Sequence, residues 1–183
     1  MKVIPIWALA PLAALALAAC NPADKAAEVE GAAPAPSSRD LAATLKAEGD
    51  LDSLEAAVAA TGLGSVLEGV GPYTVFAPTD AAFEAAGGAL SDPALKAQNV
   101  ALIRAHIVPG ALTRQDIAAA LDRAGSEPVQ MRTMADDLLT FTRDGEAIVV
   151  TAPDGARARL TGDQAVASNG VIQPVDAVLA KAG

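Results

Sequence analysis

The chain has 183 residues, a formal net charge of -9 at pH 7, and only 3% aromatic residues. A chain this acidic lacks the basic stripe that binds the phosphates of nucleic acids. Its charge also does not favour docking on anionic lipid. The few aromatic side chains leave few platforms on which a sugar ring could stack. Composition therefore argues against a nucleic-acid partner.

Residues 1–19 have the parts of a secretory signal peptide. Lys2 gives a positive start, residues 3–19 form an unbroken apolar run, and small residues stand at its exit. The alternative is an uncleaved spanning helix, which needs about 20 apolar residues. This run is shorter and contains Pro5 and Pro11. We therefore predict that the segment is removed.

The exit of this segment, residues 17–20, reads Leu-Ala-Ala-Cys and resembles the lipobox of bacterial lipoproteins. The resemblance implies lipid on Cys20 and cleavage just before it. Cys20 is the single cysteine, so it has no disulfide partner in an oxidising compartment. In Gram-negative lipoproteins an aspartate directly after the cysteine tends to retain the protein at the inner membrane, and here Asn21 stands at that position. The resemblance therefore implies an exported protein that is lipid-anchored in the bacterial cell envelope, at the outer membrane.

Residues 20–38 are predicted to form the lipidated cysteine and a flexible tether. The stretch contains three prolines, and Val29 is its one bulky apolar residue. Such a segment cannot bury enough surface to offset the entropy of ordering it. Residues 39–183 remain, which is the usual size of one domain.

The domain opens with helical periodicity. Five apolar residues recur at helical spacing: Leu41, Leu45, Leu51, Leu54 and Val58. Gly49 and Asp50 divide this run into two helices, with Asp50 predicted to cap the second. A glycine-rich stop follows at residues 62–64, and residues 65–68 are a further short helical turn.

A β-rich run at residues 73–77 comes next and is stopped by Pro78. Thr79 or Asp80 then caps a helix over residues 81–85, since both side chains satisfy free N–H groups at a helix start. These features predict a junction between a strand and a helix.

Two further helices are predicted in the middle of the chain. Asp92 is the N-cap of the first, which runs toward His106. Thr113 caps the second, over residues 115–124, and Gly125 stops it.

The last third changes to strands. Residues 138–142 and 147–151 flank Asp144-Gly145, a hairpin signal, and residues 157–160 alternate polar and apolar side chains. Asn169-Gly170 is a further turn signal, leading into an apolar run to Leu179. Helices first and strands later predict an α+β domain.

Three segments resemble the signature segments of fasciclin domains: residues 73–83, 102–110 and 169–179. The resemblance covers the chain from about Arg39 to Lys181. It implies a single fasciclin-like domain, with N-terminal helices packed on a β-sandwich or wedge of short strands. Two positions depart from the family pattern: Ala105 replaces a usual tyrosine, and Gln173 replaces a common histidine.

The resemblance also implies a function in cell adhesion or matrix interaction, through protein or polysaccharide partners or homophilic contact. Its motif positions make Thr79, Asp80, His106 and Asp176 the candidate binding residues. Each has a structural alternative: the first two as helix caps, His106 as a backbone-bonded histidine, Asp176 as a turn or backbone contact. The alternative function is a carrier of an apolar small molecule, carotenoid- or lipid-like, in an alanine- and valine-rich interior.

Enzymatic signals are weak. The chain has one histidine and no Gly-x-Ser-x-Gly, so the nucleophile and base of a serine hydrolase have no candidates. One histidine also disfavours a zinc site. Asp136 and Asp137 would bind a cation weakly, but such a pair is usually a solvated turn. We predict no catalytic residue, cofactor or metal.

Overall fold

The computed structural model describes residues 37–87 and 96–180. Helices occupy both ranges before the last third of the chain. They are α1 (Leu41–Leu45), α2 (Asp52–Thr61), α3 (Gly64–Leu67), α4 (Asp80–Ala85), α5 (Lys96–Ala105) and α6 (Arg114–Ala124). None of the described helices is both long enough and apolar enough to cross a bilayer.

The strands form two four-stranded sheets. They are β1 (Tyr73–Pro78), β2 (Ile107–Pro109), β3 (Val129–Arg132), β4 (Leu138–Asp144), β5 (Ala147–Thr151), β6 (Arg157–Arg159), β7 (Ala165–Ala167) and β8 (Gly170–Val175). Sheet A has the order β2-β1-β8-β7, and sheet B the order β3-β4-β5-β6. An antiparallel bridge between Leu160 and Val175 joins the two sheets.

The first and last strands of the domain, β1 and β8, are parallel neighbours at the centre of sheet A. Their register pairs Tyr73 with Gly170 and Pro78 with Val175. Backbones approach closely here, since a Cβ on Gly170 would lie 2.0 Å from the Tyr73 carbonyl oxygen. The remaining neighbours in both sheets are antiparallel.

Strand β1 is buried on both faces because sheet A lies between two cores. Val75 and Ala77 face the first core, with α1 to α5. Phe76 faces the second core, between sheet A, sheet B and α6, where its ring lies 5.3 Å from that of Phe141. This layered α+β arrangement confirms the predicted fold class.

Helix α1 is integral to the first core, although it is only five residues long. Leu41 and Leu45 are buried there. Asn169, in the β7–β8 turn, accepts a hydrogen bond from the Leu41 N–H at 2.8 Å. Its amide nitrogen donates to the carbonyls of Leu67 and Gly69. One side chain therefore joins the starts of α1 and β8 to the end of α3.

The predicted cap of the second helix was wrong. The N-cap of α2 is Leu51, which makes no side-chain capping bond. The Ser53 N–H instead donates to Asp80 Oδ1 at 2.8 Å, so the carboxylate comes from α4. Asp50 contributes its backbone, accepting from the Asp80 N–H at 2.9 Å. Tertiary packing therefore brings the Asp80 carboxylate to the start of α2, where the sequence pattern predicts Asp50 as the cap.

The turn positions also differ by one residue from the sequence signals. The β4–β5 turn is Gly145–Glu146, with Asp144 paired to Ala147 inside the ladder. Gly145 has φ 64, a left-handed conformation that glycine adopts without steric cost. In the same way, Gly170 is the first residue of β8 rather than a turn residue. Strand β8 ends at Val175, and β3 and β7 were not predicted. The predicted start of α5 at Asp92 lies outside the described residues.

Candidate functional site

Sheet A has two distinct ends, which we call the entry end and the far end. The described chain enters beside β7, where the Ser37 N–H donates to the Val166 carbonyl and the Ser168 N–H to the Arg39 carbonyl, both at the entry end. Strand β1 runs from there for six residues, about 17 Å at 3.3 Å per residue, to the far end.

The four residues predicted to bind partners all follow or precede strand termini at the far end. Thr79 and Asp80 come after β1, His106 comes before β2, and Asp176 comes after β8. Because β2 is antiparallel to β1 and β8 is parallel to it, these termini meet at one edge. The fold thus brings residues separated by almost 100 positions to the same end of the domain.

Thr79 and Asp80 form the junction between β1, α2 and α4. Thr79 is the N-cap of α4, and its hydroxyl accepts from the Ala82 N–H at 3.3 Å. The hydrogen bond from the Ser53 backbone is the main cause that lowers the pKa of Asp80 below its usual value. Asp80 therefore holds α2 to α4 in its ionised form.

His106 is almost fully buried, with 2% of its surface exposed. Its Nδ1 donates to the Leu102 carbonyl at 2.8 Å, and its Nε2 accepts from the Leu179 N–H at 2.9 Å. The Leu179 N–H can only donate, so the ring is neutral with the proton on Nδ1. Burial lowers the pKa of His106 to about 4. The ring thus ties α5 to the segment after β8.

Leu102 and Leu179 also line a groove beside this histidine. Its volume is about 370 Å³, and we call it the alanine groove after the small side chains that dominate its wall. They are Ala101, Ala105, Ala152 and Ala180. Leu139 and Pro153 add further apolar surface, whereas Gln98, Asp137 and Asp154 are its polar lining residues. Both hydrogen bonds of His106 therefore brace walls of an apolar groove.

Asp176 lies in a different depression, an open polar cleft of about 390 Å³ beside β6. Its Oδ1 accepts from the Arg159 N–H at 2.6 Å, and its own N–H donates to the Arg159 carbonyl. The Arg159 side chain pairs with Asp144 at 2.6 Å. Asp176 is thus an exposed backbone contact, and its carboxylate is separated from the alanine groove.

The two departures from the family pattern have different surroundings. Ala105 lines the alanine groove, so its short side chain leaves that volume open. Gln173 is fully buried, and its amide nitrogen donates to the Leu112 carbonyl and to Gln164 Oε1.

The Arg114 guanidinium completes this network at the carbonyls of Thr161 and Gly162. Burial lowers the pKa of Arg114. Its part in the network was not predicted, because its partners lie about 50 residues away in sequence.

Sequence reasoning raised Asp136 and Asp137 as a weak cation site. Asp136 has φ 68 in the turn before β4 and pairs with Arg132 at 3.4 Å. Across residues 37–87 and 96–180, no three His, Cys, Asp or Glu side chains gather in a way that would hold a metal ion. Both residues lie in the connection between β3 and β4.

The geometry defines an α+β module in which helices and two small sheets enclose two cores. Residues 49–181 match the family described as Fasciclin domain. The chain belongs to this family. Helix α1 lies before the matched range but within the same core.

Two curated relatives and one solved structure extend this finding. The chain is 32% identical to Protein sll1483 of Synechocystis sp. over 132 residues, 69% of this chain and 65% of that protein. It is 30% identical to transforming growth factor-beta-induced protein ig-h3 of Sus scrofa, covering 74% of this chain and 18% of that protein. The chain thus spans less than two thirds of either relative.

A FAS1 domain pair from the insect cell adhesion molecule Fasciclin I has the same fold. The TM-score is 0.58 at 22% identity, covering 72% of this chain and 45% of the other. The similarity supports the fold that the fasciclin-like segments implied.

Proposed function

We propose that this protein is a lipid-anchored, non-catalytic binding module of a bacterial cell envelope, exported and held at the outer membrane through Cys20. Its role is adhesion or interaction with a protein or polysaccharide, at the surface or in the periplasm. The alanine groove, beside His106, is the contact site. The observation that carries this proposal is the opposition of the two ends: the described chain enters at one, and the groove lies beside His106, near the other.

The groove has the properties of a contact for an apolar group. Most of its lining is alanine, leucine and proline, its volume is at the lower end of the range for ligand sites, and it is open. The His106 bonds hold Leu102 and Leu179 in place, so the walls are ordered before a partner arrives. Fasciclin I, whose domain pair shares this fold, is a cell adhesion molecule, which is the same class of function.

Filling the groove tests the proposal. Ala105→Trp would occupy the groove, whereas Ala119→Trp adds the same side chain to an exposed position of α6. In a deletion strain complemented with each variant, we expect attachment or biofilm formation to fall with Ala105→Trp and to persist with Ala119→Trp. Melting curves would first establish that both variants fold. Unchanged attachment in the deletion strain itself would refute the adhesion role.

Anchoring has its own test. Cys20→Ser should move the protein from the membrane fraction to the soluble fraction, because the acylated thiol is lost. Mass spectrometry of the N-terminal peptide should show acyl groups on Cys20 in the wild type. An unmodified Cys20 would leave the adhesion proposal without its anchor.

A second candidate is a carrier of an apolar small molecule, and the apolar lining of the same groove favours it. Native mass spectrometry with an absorbance scan separates the two. Extra mass that is lost on denaturation, with a chromophore or lipid in the extract, indicates a carrier. A bare mass indicates an interaction module, and a dimer mass indicates homophilic contact.

A further inference from the structure

The entry end exposes apolar side chains although it is not part of the groove. Val70 is 98% exposed, at the tip of the turn between α3 and β1. Its turn is held against the β7–β8 turn, because Asn169 donates to the Gly69 carbonyl and the Tyr73 N–H donates to the Asn169 carbonyl. Pro72, Pro109 and Ala111 are exposed beside it. Val70 is thus presented on a braced turn.

This end is also nearly free of charge. Three of the segments that build it, residues 69–74, 107–113 and 165–173, contain no Asp, Glu, Lys or Arg. Charged residues border these segments: Glu68, Arg114 and Asp163 lie within two positions of them, and the Arg39 carbonyl bonds to Ser168. In a chain of net charge -9, such a neutral end avoids repulsion from anionic headgroups, and its apolar side chains gain by leaving water.

The tether to Cys20 does not by itself decide which end of the domain meets the bilayer. Ser37, the first described residue, bonds to β7 at the entry end, and Cys20 lies 17 positions before it. That length spans at most about 60 Å at 3.3–3.6 Å per residue, so it permits either end to approach the bilayer. The chemistry of the two ends therefore decides the orientation.

We propose that the entry end rests on the lipid surface to which Cys20 is anchored, with Val70 as the apolar contact. This inference depends on the proposed lipid anchor. A single small contact suffices because the anchor makes the encounter intramolecular, at a high effective concentration. The far end and the alanine groove then point away from the membrane.

A single tryptophan at each end tests this orientation. Trp7 is the only tryptophan and lies in the segment predicted to be removed, so the mature chain has none. In the mature chain, Val70→Trp therefore reports on the entry end and Glu84→Trp, on exposed α4, reports on the far end. The full chain is purified from membranes and reconstituted in vesicles of phosphatidylethanolamine and phosphatidylglycerol.

We expect the tryptophan at position 70 to shift its emission to shorter wavelength on vesicles and to be quenched by brominated lipid. The one at position 84 should retain its solvent emission. Equal solvent emission at both positions, on anchored protein, would overturn the proposal. Failure of the lipid anchor can be told apart from failure of the proposed orientation. Where mass spectrometry finds no acyl group on Cys20, its thiol is coupled to a maleimide phospholipid, and the emission of the two tryptophan variants is compared again.

Tryptophan itself favours membrane interfaces. Hydrogen exchange is therefore measured as well, on protein that keeps the natural Val70 side chain. Anchored wild-type protein should gain protection over residues 69–74 and 107–113, and Val70→Asp should lose it. Protection that grows with protein concentration in the absence of vesicles would instead identify a second copy as the occupant and refute the lipid contact.

Discussion

At the residue scale, the far end shows how side chains that resemble a binding site also hold the fold together. Asp80 caps a helix to which it does not belong, and His106 joins α5 to the segment after β8. Both side chains hydrogen-bond to backbone groups, so substituting either one should lower the free energy of unfolding. Their partners are far away in sequence, which is why sequence alone left their roles open.

Asp80→Ala should destabilise the domain by about 1 kcal/mol, the usual cost of removing a helix cap. Asp50→Ala is the matched control, because Asp50 contributes only its backbone carbonyl to this junction. Urea denaturation of both variants would measure the difference. Equal losses would mean that Asp50 caps α2 after all.

His106 should make stability depend on pH between about 6.5 and about 4. The folded state binds the proton only near pH 4, whereas the unfolded state binds it near 6.5, so stability is full above 6.5 and falls as the pH drops toward 4. The shift corresponds to about 3 kcal/mol. Asp80, whose pKa is lowered, loses its contribution at lower pH still, below its unfolded value.

Chemical denaturation at a series of pH values would measure this slope, and His106→Gln should flatten it between 6.5 and 4. The variant is less stable throughout, so the slope rather than the stability is the readout. A slope that survives the substitution would assign the proton to another group.

At the element scale, the turn between β7 and β8 organises three elements that are distant in sequence. The Asn169 side chain bonds to α1, to the end of α3 and to the turn that carries Val70. The sequence predicted a turn at Asn169-Gly170, but it did not predict these side-chain contacts. The reason that glycine follows is the close approach of the Tyr73 carbonyl, not the turn itself.

Asn169→Ala should cost about 2–3 kcal/mol, because three hydrogen bonds at about 1 kcal/mol each are lost. Ser168→Ala, at the neighbouring exposed turn position, should be nearly neutral. Thermal unfolding of the two variants makes the comparison. A loss no larger than that of Ser168→Ala would show that solvent replaces the Asn169 bonds.

At the scale of the whole molecule, the folded unit begins before the range matched by the family. Leu41 and Leu45 lie in the first core, yet the matched range starts at residue 49. Burial of two leucines stabilises a domain by about 3–6 kcal/mol, a large part of the total for a domain of this size.

A chain of residues 37–183 should therefore unfold cooperatively at a higher temperature than one of residues 49–183. Calorimetry on the two chains would test this. Leu41→Ala in the longer chain is the control, because it removes a buried leucine side chain without shortening the chain. Equal melting temperatures would make α1 dispensable.

Local sequence patterns were enough to predict the class of fold and most local elements. Periodicity, glycine stops and proline are local signals, so they predicted α2, β1, α6 and the β4–β5 hairpin without knowledge of the fold. Tertiary structure decided what joins them: the parallel pairing of β1 with β8, the cap that Asp80 supplies to α2, and the groove beside Ala105. Those features depend on contacts between residues 27 to about 100 positions apart, and no local pattern encodes which distant backbone group a side chain will meet.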